Sequence, residues 1–181
     1  MTWTLIPAAS LTPTRWRNGL GTSRDIATER GPAGELLWQV SIADLERDGP
    51  FSHYPDCERV FTPIAGDPPP QLAFHGGTFE PCPLLTPKRF PGDIPTISRI
   101  PAPGQAFNAI VDRRRFQVEV KPLHLATGEE IAPEGLTILH CLSGSILAGD
   151  RKLEPGDSAI GAGVARTTEP SIALLVMLDP V

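Results

Sequence analysis

The sequence predicts an all-β fold, and three observations carry that prediction. Twenty-one prolines and 17 glycines punctuate 181 residues, a density that interrupts long helices and favours short strands joined by turns. Apolar residues recur with period two, or in short runs rich in β-branched and aromatic side chains, rather than at helical spacing. Only residues 43–48 (ADLERD) carry a helical pattern, and they span little more than one turn. The chain length fits one compact unit, since domains typically hold about 100–200 residues. A hydrophobic content of 40% with 20% charged residues excludes a disordered acidic chain.

Residues 36–43 (LLWQVSIA) read as a long, mostly buried strand with Trp38 near its centre. Residues 59–64 (RVFTPI), 71–74 (QLAF), 116–120 (FQVEV), 136–142 (LTILHCL) and 172–178 (IALLVML) read likewise. His75-Gly76-Gly77-Thr78 and Ala148-Gly149-Asp150-Arg151 read as hairpin turns, because Gly and Asp adopt positive φ at low cost.

Two halves echo each other. In the first, a strand ends at Ala65-Gly66, a hairpin follows, and Phe90 precedes Pro91-Gly92-Asp93. In the second, a strand ends at Ser143-Gly144, a hairpin follows, and Glu154 precedes Pro155-Gly156-Asp157. The ordered context suggests two similar β-barrel units and resembles the cupin superfamily, where such a turn precedes a core strand.

Charge and motif content narrow the function classes. A net charge of −5 argues against a general nucleic-acid binder. Cys57, Cys82 and Cys141 are odd in number and lack CxxC spacing, which supports neither a disulfide framework nor a zinc site. The N-terminal MTWTLIPAAS lacks a basic start and a long apolar core, and the run at 172–178 is too short to span a bilayer. A soluble, cytoplasmic protein without membrane association is therefore expected. The histidines, His53, His75, His124 and His140, form no HxH pair, and no histidine follows either PGD turn. No bound metal and no cofactor are expected, since such metals need clustered imidazole and carboxylate donors.

Uncommon polar residues crowd into four segments. The first, Trp16 to Arg24 (WRNGLGTSR), has glycines that permit tight turns, and such loops can aim backbone N–H groups at an anion. The second, 38–43 (WQVSIA), puts Trp38, Val40 and Ile42 on one strand face and Gln39, Ser41 and Ala43 on the other. The third, 48–55 (DGPFSHYP) followed by Arg59, sets aromatic rings, Ser52 and an arginine close together. The fourth is Phe107-Asn108, then Asp112 and Arg113-Arg114-Arg115; on a strand at most two of the three arginines share a face. Each has a plain structural alternative: an ordinary Gly turn, a serine bonded to backbone, a rigid loop with Arg59 in a salt bridge, and a solvated edge.

Taken jointly, WRNGLGTSRDI (16–26), WQVSIA (38–43), DGPFSHYP with Arg59, FPGD (90–93) and FNAIVDR (107–113) resemble the HutD/Ves family of bacterial bicupins. The match threads most of residues 1–115, while 116 onward resembles only a generic second cupin barrel. Departures occur at Gly19-Leu20-Gly21, where the family usually runs three glycines, at Asp56-Cys57-Glu58-Arg59, and at Ala106, where an acid is usual. The resemblance implies two cupin-like, RmlC-like jelly-roll barrels in a single 181-residue unit, with a ligand pocket mainly in residues 1–115 and a second barrel mainly in 116–181. It also implies a role in modulating histidine utilisation. The ligand-binding candidates are Asn18, Arg24, Trp38, Ser41, Phe51, Ser52, Arg59, Asp93 and Asn108.

The first functional expectation is a metal-independent binder of a small acidic, formylated or carboxylate metabolite, because arginine's planar fork matches a carboxylate. The alternative is a metal-independent isomerase or hydrolase acting on a small acid, with His53, Tyr54 and Asp93 as acid/base candidates. A third reading is an interaction module, with a homodimer formed through exposed β edges. The sharpest expectation is that Asn18, Ser52 and Arg59 converge on one pocket.

Overall fold

The computed structural model describes residues 2–16 and 19–181, and more than half of those residues are strand. The helical content of the described residues is one 3-10 turn, Ala8–Ser10. The fold is all-β. Two compact units divide the chain: Thr12–Phe116 with Val181, and Met1–Leu11 with Gln117–Pro180. Each holds two sheets. The expected closed barrels do not appear in the strand pairing, because no sheet of the described residues closes on itself.

In the Thr12–Phe116 unit, a six-stranded sheet runs in the order Pro13–Arg15, Gly21–Arg30, Leu36–Leu45, Gly104–Asp112, Cys57–Ala65, Lys88–Pro91. A smaller sheet runs Gly49–Pro50, Thr96–Arg99, Gln71–Phe74, Glu80–Pro81. The three central strands of the large sheet pair antiparallel in a register that aligns Ser41, Asn108 and Phe61 in one row and Gln39, Ile110 and Arg59 in the next. Directly opposed residues share a sheet face, so both rows look the same way. Ala43, Leu45, Phe61 and Ala106 from this face pack with Leu72, Cys82 and Phe90 into one apolar core.

Two segments differ from the sequence expectation. Residues 43–48 are not helical: the strand Leu36–Leu45 runs through the first three of them. Its buried Ala43 and Leu45 flank the partly buried Asp44, so strand alternation outweighs the short helical pattern. Arg113-Arg114-Arg115 is not a strand edge either, but the turn between Gly104–Asp112 and Phe116–Leu125. The nearly buried Asp112 carboxylate accepts from the Arg114 backbone N–H at 3.0 Å and from its Nε at 3.1 Å, which fixes the turn. Arg113 pairs with Asp93 and Arg115 with Glu35, so the basic run is neutralised locally.

In the other unit, a five-stranded sheet runs Thr4–Ile6, Ser158–Gly161, Leu136–Ser143, Ser171–Pro180, Phe116–Leu125. A four-stranded sheet runs Glu130–Ile131, Ala165–Thr167, Ile146–Ala148, Arg151–Leu153. The sequence echo has a structural counterpart. In one unit the Gly92 N–H donates to the Cys57 carbonyl at 2.8 Å, and in the other Gly156 N–H donates to the Cys141 carbonyl at 2.8 Å. Gly156 needs its φ of +94°, a backbone region costly for other residues. The three cysteines are buried free thiols.

His140 lies in the strand Leu136–Ser143, is 1% exposed, and sets Nδ1 2.9 Å from Ser158 Oγ. Burial penalises the imidazolium and pushes its pKa down from 6.5 to about 4, although the Asp157 backbone and charge pull the other way. The neutral ring is therefore the folded form. Its contribution is complete above pH 6.5 and is lost as pH falls towards 4, at about 3 kcal/mol over the whole interval. Chemical denaturation of the protein and of His140→Gln at a series of pH values should show a steeper acid loss in the former; parallel curves would contradict the burial argument.

Candidate functional site

The site grows from the alternation of the strand Leu36–Leu45. Gln39, Ser41, Ala43 and Leu45 point to one side and line a cavity of about 100 Å³ within the Thr12–Phe116 unit. Asn108 and Ile110 join them from the strand Gly104–Asp112, and Arg59 and Phe61 from Cys57–Ala65. Beyond Leu45 the chain supplies Arg47, the small-sheet strand Gly49–Pro50, then Phe51, Ser52 and Tyr54, and Ser98 comes from the neighbouring strand Thr96–Arg99. Trp16 and Leu20 also reach the cavity. Gly21 is required beside them, since a Cβ there would lie 2.8 Å from the Trp16 ring and 2.7 Å from the Asp44 carbonyl. Cavities for drug-sized ligands are commonly about 300–1,000 Å³, so this one suits a small metabolite.

Arg59 dominates the electrostatics. Its guanidinium stacks on the Phe51 ring at 4.2 Å from the centroid, with Phe90 at 6.0 Å. Asn108 Oδ1 accepts from Arg59 Nε at 3.2 Å and from Nη2 at 2.9 Å. No carboxylate among the described residues lies within ion-pairing distance of Arg59. Burial pushes its pKa down to about 10, with the Tyr54 hydroxyl acting in the opposite sense, so it remains charged at neutral pH. Arg47 adds a second, exposed positive charge, and no acidic side chain is among the cavity-lining residues. Among the described residues the lining carries two cations, no anion and several hydroxyls and amides, an arrangement electrostatically suited to negative charge.

Ser41, Phe51, Ser52, Arg59 and Asn108, expected to bind ligand, all line this one cavity, as does Tyr54. Asn18 lies outside the described residues. Ser41 is 7% exposed.

Three other candidates lie elsewhere. Trp38 is buried, but it sits on the strand face opposite Gln39 and Ser41. Arg24 pairs with Ile42 across the ladder and so shares that opposite face, where its Nη2 bonds Asp44 Oδ1 at 2.7 Å. Asp93 is held by Arg113 through bonds of 2.5 and 3.3 Å, which keep its carboxyl below the usual range. His53 is exposed and does not line the cavity. Of the three acid/base candidates, Tyr54 alone borders it.

Sequence reasoning missed Gln39, Ser23, Ser98 and Arg47. Gln39 was recoverable, because it shares Ser41's parity. Ser23 had a signal too, opposing Ala43 in the ladder. Ser98 and Arg47 had none, since their place depends on how the small sheet covers the large one. No group of three or more His, Cys, Asp or Glu that could hold a metal occurs among the described residues. No helix among them is long and apolar enough to cross a membrane.

The chain is similar to several known proteins. Protein Ves of Cronobacter sakazakii is 32% identical over 149 residues, spanning 80% of this chain and 78% of that protein. The structure of HutD from Pseudomonas fluorescens SBW25 superposes with a TM-score of 0.87 at 21% identity, covering 99% of this chain and all of that one. A cupin 2 conserved barrel domain protein from Leptotrichia buccalis superposes at 0.63 with 10% identity, over 97% and 96% of the two chains, which supports a cupin-like fold. The family model for HutD matches residues 8–174. Sequence and fold agree, and the chain belongs to the HutD/Ves family.

Proposed function

We propose that this protein binds a small carboxylate-bearing metabolite in the Arg59 cavity and thereby modulates amino-acid catabolism, histidine utilisation in particular. The observation that carries the reading is Arg59 itself: a partly buried guanidinium beside a cavity, held by a neutral amide and an aromatic ring, with no carboxylate partner among the described residues. An unneutralised cation out of bulk water is costly unless a ligand completes it. The link to histidine utilisation rests on family membership. A cytoplasmic location fits such a role, and two units each built from two facing sheets fit a bicupin.

Thermal denaturation with N-formylglutamate, glutamate and urocanate tests the reading. A ligand at one hundred times its Kd contributes about 2.7 kcal/mol. At least one of these acids should raise the melting temperature by several degrees; no shift with any of them would overturn the assignment.

A further inference from the structure

The contact between Asn108 and Arg59 carries more than positioning. The guanidinium has only donors, so the amide must turn Oδ1 towards it. That single oxygen accepts from Nε and Nη2 at 3.2 and 2.9 Å, which occupies the side edge of the fork. The end edge, Nη1 with the second Nη2 hydrogen, has no partner among the described residues, and Arg59 lines the cavity. Asn108 is 3% exposed, and its Nδ2 makes one contact, to the Ala106 carbonyl at 3.5 Å, the outer limit of a hydrogen bond. In the same row stands Ser41, nearly buried and also lining the cavity.

We propose that Asn108 is the charge-selectivity residue of the cavity: a neutral acceptor that aims Arg59 without neutralising it, so that one ligand carboxylate docks end-on at Nη1 and Nη2. An aspartate here would keep both bonds to Arg59, lose the long contact to the Ala106 carbonyl, and supply the counter-charge from within the protein, closing the site to anions. The inference rests on the carboxylate-binding reading above and adds the ligand's charge, a single carboxylate at this edge, with neutral polar atoms facing Asn108 Nδ2 and Ser41.

Acetate and acetamide, alike in shape and differing in charge, test this by NMR titration of the full chain and of Asn108→Asp. The wild type should bind acetate at least tenfold more tightly than acetamide, and Asn108→Asp should reduce that ratio to threefold or less without a lower melting temperature. If the wild type shows no preference for acetate, the carboxylate reading itself fails. If both proteins prefer acetate equally, that reading stands and the role of Asn108 is wrong. Asn108→Ser, smaller but neutral, guards against misfolding of the charged variant. It should keep the acetate preference while weakening affinity, and a preference lost there would mean that Asn108 acts only as a brace.

Discussion

Trp38→Ala should destabilise the protein by roughly 3–5 kcal/mol while leaving carboxylate affinity of the folded fraction unchanged. Trp38 is 5% exposed, the third residue of the strand Leu36–Leu45, opposite Val111 on one side and Glu29 on the other. Its face also holds Val40 and Ile42, both buried, so truncation leaves a cavity that stiff neighbours fill poorly. Typical domain stability is about 5–15 kcal/mol, so the loss consumes a large share of it. The second half of the expectation follows from parity, because Ser41 and Gln39 on the reverse face keep their places. Urea denaturation gives the first quantity and ligand titration below the transition gives the second. A loss under 1 kcal/mol, or an affinity that falls with the tryptophan, would contradict the placement.

Arg59→Lys should weaken binding of a small acid at least tenfold, a change of about 1.4 kcal/mol, with stability altered by less than about 1 kcal/mol. Lysine keeps the charge but loses the planar fork, and with it both bonds to Asn108 Oδ1 and the stacked geometry on Phe51. Stability should change little, since no carboxylate among the described residues forms an ion pair with Arg59. Paired titration and thermal denaturation separate the outcomes. An unfolded variant whose remaining folded fraction binds normally would make Arg59 a structural brace and remove it from the site.

The sequence made the β architecture legible because its signals are local. Alternation in 36–43 and the flanking Gly and Pro turns already place most of the strand that floors the cavity. Arg59, Ser41 and Asn108 were recognisable as a set because segment order and spacing carry the family resemblance. What remained hidden depends on parity and on long-range pairing. Trp38 and Arg24 were expected at the ligand, yet both project from the opposite face of their strands. Asp93 looked like a free acid until the turn at 113–115 folded Arg113 onto it. Ser98 enters the cavity only because Thr96–Arg99 pairs with Gly49–Pro50, a contact between segments nearly fifty residues apart. The closed barrels implied by the resemblance were not apparent either, since short strands with Gly and Pro between them read alike in a closed barrel and in paired open sheets.

The central claim is that a ligand carboxylate completes Arg59. A crystal structure of the protein with the acid that gives the largest thermal shift tests it most directly. The account predicts carboxylate density on the Nη1 and Nη2 edge of Arg59, within hydrogen-bonding distance of both nitrogens, with Asn108 Oδ1 still on the Nε side. A ligand bound outside the cavity, or one whose carboxylate turns away from Arg59, would contradict it.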